Sequence, residues 1–264
     1  MPTTTHRESP AARSLARGGM VLTAAGLISG IANYATNAIL ARSLDPAAFG
    51  DAAVAITLML ATTGLAGVVQ LATAQRVAST GVAVTRRLGL RVGAIAGLAL
   101  AAASPLLSAL LNTDGPAIFV LLALGLPFQL ILAVERGRLQ GRLRFGELAG
   151  TFVVEGVLRL LVTAAVLEFG AGAHAAPLGI SAGLAASSIL AVAVGQMSST
   201  AMAPSSGTAA PLAATASLLM GQILLVNADI LIVKHSFSPS VAGGFALAAL
   251  AGRACHVVAA AITN

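Results

Sequence analysis

The sequence predicts an all-α polytopic membrane protein of about eight transmembrane helices, and three observations carry that prediction. Of 264 residues, 57% are hydrophobic and only 9% are charged, with a mean hydropathy of +0.92. A soluble domain carries roughly 25% charged residues, so this chain has no water-facing surface to build. Apolar runs recur at lengths near 20 residues, which at 1.5 Å per residue cross a hydrocarbon core of about 30 Å. The arginines fall between those runs, on alternate loops.

The amino-terminal stretch 1–17 is polar, with Arg7, Arg13 and Arg17 ahead of the first apolar run. That run is longer than the roughly 7–15 residues of a cleaved signal core and is followed by further spans, so a retained first helix is expected. The spans lie at about Met20–Ala41, Ala52–Ala74, Val92–Leu111, Ala117–Val134, Leu148–Leu167, Ala176–Met197, Leu212–Val233 and Val241–Ile262. The second loop holds Arg76, Arg86 and Arg87, with Arg91 at its edge, and the fourth holds Arg136, Arg138, Arg142 and Arg144. The short first, third and fifth loops hold Asp45, Asp51, Asp114 and Glu168, with Arg42 their only arginine. By the positive-inside rule the N-terminus and the even loops are expected in the cytoplasm.

The net charge of +6 does not point to nucleic acid, because the arginines are dispersed between spans rather than gathered on one face. Trp is absent and Tyr34 stands alone, so snorkelling arginines must do most of the interfacial anchoring. The one cysteine, Cys255, excludes a disulfide framework within the chain and a thiolate metal cage. No Gly-rich phosphate loop with a lysine, no metal-ligand spacing and no nucleophile–base cluster is present, so neither an enzyme nor a cofactor is expected.

The segment 198–210, SSTAMAPSSGTAA, is small, polar and uncharged, and reads as a linker after a first lobe at 18–197. It marks the start of a repeat. Aligning Pro46 with Pro239 brings Ile39 onto Ile232, Ser43 onto Ser236 and Gly50 onto Gly243. The shared register is Ser-x-x-Pro-x-x-x-Gly, in which Pro suits the first turn of the next helix and Gly permits close packing there. Six spans separate the copies, so both enter the bilayer in the same direction, as parallel repeats. Residues 211–264 are then the start of a second lobe, incomplete in these 264 residues.

The segment ANYATNAILARSLDPAAFGDAAVAITLML resembles the first two helices of bacterial polysaccharide (Wzx-type) flippases, within the multidrug/oligosaccharidyl-lipid/polysaccharide exporter superfamily. The segment NADILIVKHSFSPSVAGGFALAALAGR is similar to the opening of that family's second lobe, with Asp229 ahead of the Pro–Gly corner. The resemblance implies two six-helix lobes, of which this chain matches one lobe and two further helices. It also implies translocation of a lipid-linked oligosaccharide or polysaccharide precursor across the bacterial cytoplasmic membrane by alternating access. Glycan-polymerising partners would act on the product, and nothing in the sequence names them. Two other readings compete: a cation-coupled drug exporter of the same superfamily, and a truncated membrane protein that transports nothing.

Ionisable residues inside a span cost about 2.5–3.5 kcal/mol at a helix centre and so mark candidate sites. Glu155 and Arg159 are spaced i, i+4 on the fifth span, with the acid first, which suits a mutually neutralising pair or a charge site on a cavity. Arg253 lies near the middle of the eighth span with no acid within one turn, which suits either a cavity that receives an anion such as a diphosphate or an arginine satisfied by backbone carbonyls or by an acid on a further helix. Asp229 and His256, with Glu155, are the candidate coupling groups. Ser29, Asn33 and Asn37 recur every four residues on the first span. They either line a polar cavity that accepts sugar hydroxyls or join helices.

Overall fold

The structure, a computed structural model, describes residues 10–196, 221, 225 and 228–263, with side chains for 16–196, 221, 225 and 228–252. The described residues form helices joined by short connections, with no strand. Helix α1 runs Pro10–Ser43, α2 Pro46–Thr80, α3 Arg86–Leu110, α4 Ala117–Ala123, α5 Leu126–Gly141, α6 Phe145–Glu168 and α7 Ala175–Gln196. Residues 228–236 form α8, and Pro239–Thr263 form α9. The protein is an all-α polytopic membrane protein, with six described segments long and apolar enough to cross a bilayer. The seventh predicted span, Leu212–Val233, and the linker 198–210 fall largely outside the described residues.

Local chemistry sets the helix ends. Asp45 caps α2 by accepting the Ala48 N–H at 3.0 Å, and Pro46 occupies the first turn, where its missing N–H has no intrahelical partner to lose. Gly81 closes α2 in a left-handed conformation, φ 73°. Most helices outrun the predicted spans: α2 begins six residues before Ala52 and ends six after Ala74, and α3 begins six before Val92. α1 starts at Pro10, since the Ala- and Arg-rich segment that follows consists of good helix formers, so part of the expected polar tail is helical. The fourth span is two helices, α4 and α5, broken at Leu124–Gly125 just ahead of Pro127, and α5 continues seven residues past Val134 to Gly141.

Three segments sit inside and three outside. The most apolar windows of Pro46–Thr80, Ala117–Gly141 and Gly172–Gln196 are 44%, 61% and 39% buried, against 17% for each of Ala16–Ser43, Arg86–Leu110 and Phe145–Glu168. The outer helices turn Leu27 and Ile31 of α1 and Ile95 and Leu98 of α3 outward, as lipid contacts require. Lipid tails are as apolar as leucine, so helices in a bilayer associate through close backbone approach rather than hydrophobic burial. Glycines provide that approach here. A Cβ on Gly93 or Gly97 of α3 would lie 2.7 or 2.8 Å from backbone atoms of Pro127 and Ala123, and Gly137 and Gly141 of α5 meet α2 at Gln70 and Ala74.

α9 lies along the first part of α2. The two corner glycines meet there: a Cβ on Gly50 would sit 3.2 Å from the Gly243 backbone, and one on Gly243 would overlap the Pro46 carbonyl. Around this crossing Leu40, Phe49, Ala52, Ala175, Ile230 and Ala246 form one buried cluster, tying α8 and α9 to α1, α2 and α7.

Candidate functional site

α6 carries Glu155 and Arg159 one turn apart, facing α1 on one side and α5 and α7 on the other. Arg159 Nη2 lies 2.5 Å from Glu155 Oε1, and its Nη1 donates to Asn33 Oδ1 of α1 at 3.0 Å. α5 adds a residue the sequence had assigned to a loop. Arg136 Nη2 reaches Glu155 Oε2 at 2.8 Å, its Nε donates to Thr151 Oγ1 at 2.9 Å, and its guanidinium stacks on Phe152 at 3.8 Å. The three charged side chains are only 10–12% exposed.

Glu155 and Arg159 are therefore not a closed pair. Two guanidinium groups share one carboxylate, leaving the cluster one positive charge in excess. Arg159 Nε is buried and has no hydrogen-bond partner among the described residues. α7 packs directly on this turn of α6, because a Cβ on Gly183 would fall 2.7 Å from the Glu155 carbonyl oxygen. That packing fixes the backbone on which both charges stand.

A narrow cleft opens on each side of the cluster. One lies between α1, α2, α6 and α7 and is lined by Asn33, Thr36, Asn37 and Arg159 over an apolar floor that includes Leu40, Ile56 and Met59. The other lies between α2, α5, α6 and α7 and is lined by Thr63, Gln70, Gln129, Arg136, Phe152 and Glu155. Gln129 donates to Thr63 Oγ1 at 3.0 Å, and its own carbonyl oxygen is buried without a hydrogen-bond partner among the described residues.

Of the stripe on α1, Asn33 and Asn37 line the first cleft, and Asn37 also donates to the Asn33 carbonyl at 2.9 Å. Ser29 packs on α6 instead, where a Cβ on Gly156 would lie 3.0 Å from its Oγ. Asp229 is half-buried on α8 and accepts its neighbour Ile230 N–H at 2.8 Å. Arg253 and His256 fall on α9, and their side chains lie outside the described residues.

Two further buried charged groups escaped the sequence reading. Glu135 is fully buried near the arginine-rich end, paired with Arg86 of α3 and, at 3.4 Å, with Arg138. At the opposite end Asp51, expected in a loop, is buried in α2 and pairs with Lys234 of α8 at 2.5 Å. Lys234 is the only lysine in the chain, which is the one signal the sequence offered for it.

Together these features define a multi-pass membrane protein with a charged cluster between two interior clefts, an architecture compatible with a transporter. Comparison of the chain with protein-family models, with curated proteins and with solved structures finds no match.

Proposed function

We propose that the protein translocates a lipid-linked oligosaccharide or polysaccharide precursor across the bacterial cytoplasmic membrane, with its N-terminus and arginine-rich loops in the cytoplasm. The observation that carries this reading is the excess positive charge on Glu155, which Arg159 presents to the cleft of Asn33 and Asn37 and Arg136 to the cleft of Gln70 and Gln129. A diphosphate offers acceptor oxygens that match a guanidinium fork, and Asn33 and Asn37 offer donors and acceptors suited to sugar hydroxyls. The resemblance of the Ser43–Gly50 and Ser236–Gly243 corners to polysaccharide flippases agrees with it. Those two corners would then open two parallel lobes, rocking to expose the cleft to each side in turn. Glu155 is tied by two arginines, which disfavours the related drug-exporter reading, since that reading needs a cavity acid free to take up a cation.

Cells lacking the protein should accumulate lipid-linked glycan on the cytoplasmic face. Arg159→Ala should lower translocation on the order of tenfold or more, the loss expected for a charged hydrogen bond to substrate, with Arg159→Lys retaining part of the activity. Full activity in Arg159→Ala would remove the cleft from the reaction. Arg253→Ala should likewise abolish translocation, and retained activity would remove Arg253 from the site.

A further inference from the structure

We infer that the Asp51–Lys234 pair is a charge latch that closes the end of the molecule opposite the arginine-rich loops, and that it opens and recloses in the folded protein. The pair joins α2, in the first six-segment unit, to α8 in the following segment, with Nζ 2.5 Å from Oδ1 and both residues at most 3% exposed. Its surroundings hold each partner from a second side. Asp51 Oδ2 accepts the Asp114 N–H at 2.9 Å, from the loop between α3 and α4. In the same loop Asn112, in a left-handed conformation (φ 47°), donates to the Lys234 and His235 carbonyls at 3.3 and 3.2 Å. His235 Nδ1 lies 2.6 Å from the Leu110 carbonyl. Gly50 leaves the space that Lys234 fills, since a Cβ there would lie 3.4 Å from Nζ.

Two properties mark this as a latch rather than a rigid tie. Four contacts hold α8 at this end, one to Asp51 of α2 and three to Leu110 and Asn112 at the end of α3, so a small outward movement of α8 alone breaks them together. The ammonium has three donors, and among the described residues its one ionic partner is Asp51. Water entering an opened end can satisfy the remaining donors, which lowers the cost of the open state relative to a sealed one. The inference rests on the transporter reading, in which one end must open while the other is shut, but its test reads opening and not transport.

Because Lys234 is the only lysine, an amine-reactive reagent reports its exposure directly. The 264-residue chain in detergent is treated with a water-soluble succinimidyl acetate, with free lysine in the same solution as the standard, and acetylation at residue 234 is followed by peptide mass spectrometry. The native protein should label at Lys234 far more slowly than free lysine, yet to completion while it stays folded. Asp51→Asn should label at least about tenfold faster, because loss of the ionic partner favours local opening. The exchanged pair, Asp51→Lys with Lys234→Asp, should return the lysine now at position 51 to the slow native rate. Labelling of native Lys234 as fast as free lysine, or equal rates in native and Asp51→Asn, would overturn the latch. No labelling of the native protein would make the pair a static tie and overturn its opening. If Asp51→Asn does not fold, the exchanged pair decides: a folded, slowly labelled protein supports the latch, and one that also fails to fold overturns it. A failed latch leaves the Arg159→Ala test of translocation untouched, and failure of that test leaves the labelling result standing.

Discussion

Glu155→Gln is expected to destabilise the helical bundle by about 3–5 kcal/mol, the range found when one partner of a buried ion pair is removed. The substitution is nearly isosteric, so the loss is electrostatic. Arg136 and Arg159 would be left buried and facing each other with no anion between them. Thermal unfolding in detergent should show a large fall in midpoint. Adding Arg159→Met to Glu155→Gln should recover part of it, because it removes one of the two like charges. A double variant no more stable than the single would show that the cluster is not coupled in this way.

Gly243→Ala is expected to disrupt the packing of α9 on α2 strongly. Its Cβ would overlap the Pro46 carbonyl oxygen, which belongs to backbone and cannot swing aside, so α9 must move off α2. Overpacking of this kind costs about 1–3 kcal/mol or more. The neighbouring residue provides the control. A Cβ on Gly244 meets nothing within 4 Å, so Gly244→Ala should be close to neutral or slightly stabilising, as a helical Gly→Ala exchange usually is. Equal thermal stabilities for the two variants would refute the crossing.

The contrast between these sites shows what the sequence discloses. The helices were legible because apolar runs of membrane length are a strong signal, and the corner at Pro46 because its proline and the register around it are local. The Gly50 and Gly243 that define the proposed repeat proved to be in contact, which a pattern of two distant corners does not by itself require. Arg136 was hidden for a physical reason. Hydropathy ends a span at its first charges, here after Val134, whereas the helix continues because Gly137 and Gly141 dock against α2 and Glu155 neutralises part of the charge. Asp51 and Lys234 were hidden because a pairing across such a separation leaves no local trace. Asn33 was legible as one of a stripe, but the difference between it and Ser29 lies in what α6 presents to each: Arg159 to the first, Gly156 to the second.

The length of α2 has a mechanical consequence. Its 35 residues make an uninterrupted rod of about 52 Å, well beyond a hydrocarbon core of about 30 Å. The rod is gripped by α9 near its first turn, at Gly50, and its far end at Thr80 lies about 45 Å away. A tilt of about ten degrees about that grip would swing Thr80 through roughly 8 Å, and α5, docked on α2 at Gln70 and Ala74, would have to travel with it. A motion too small to part many contacts near Gly50 would thus displace both helices by more than a side chain at the opposite face.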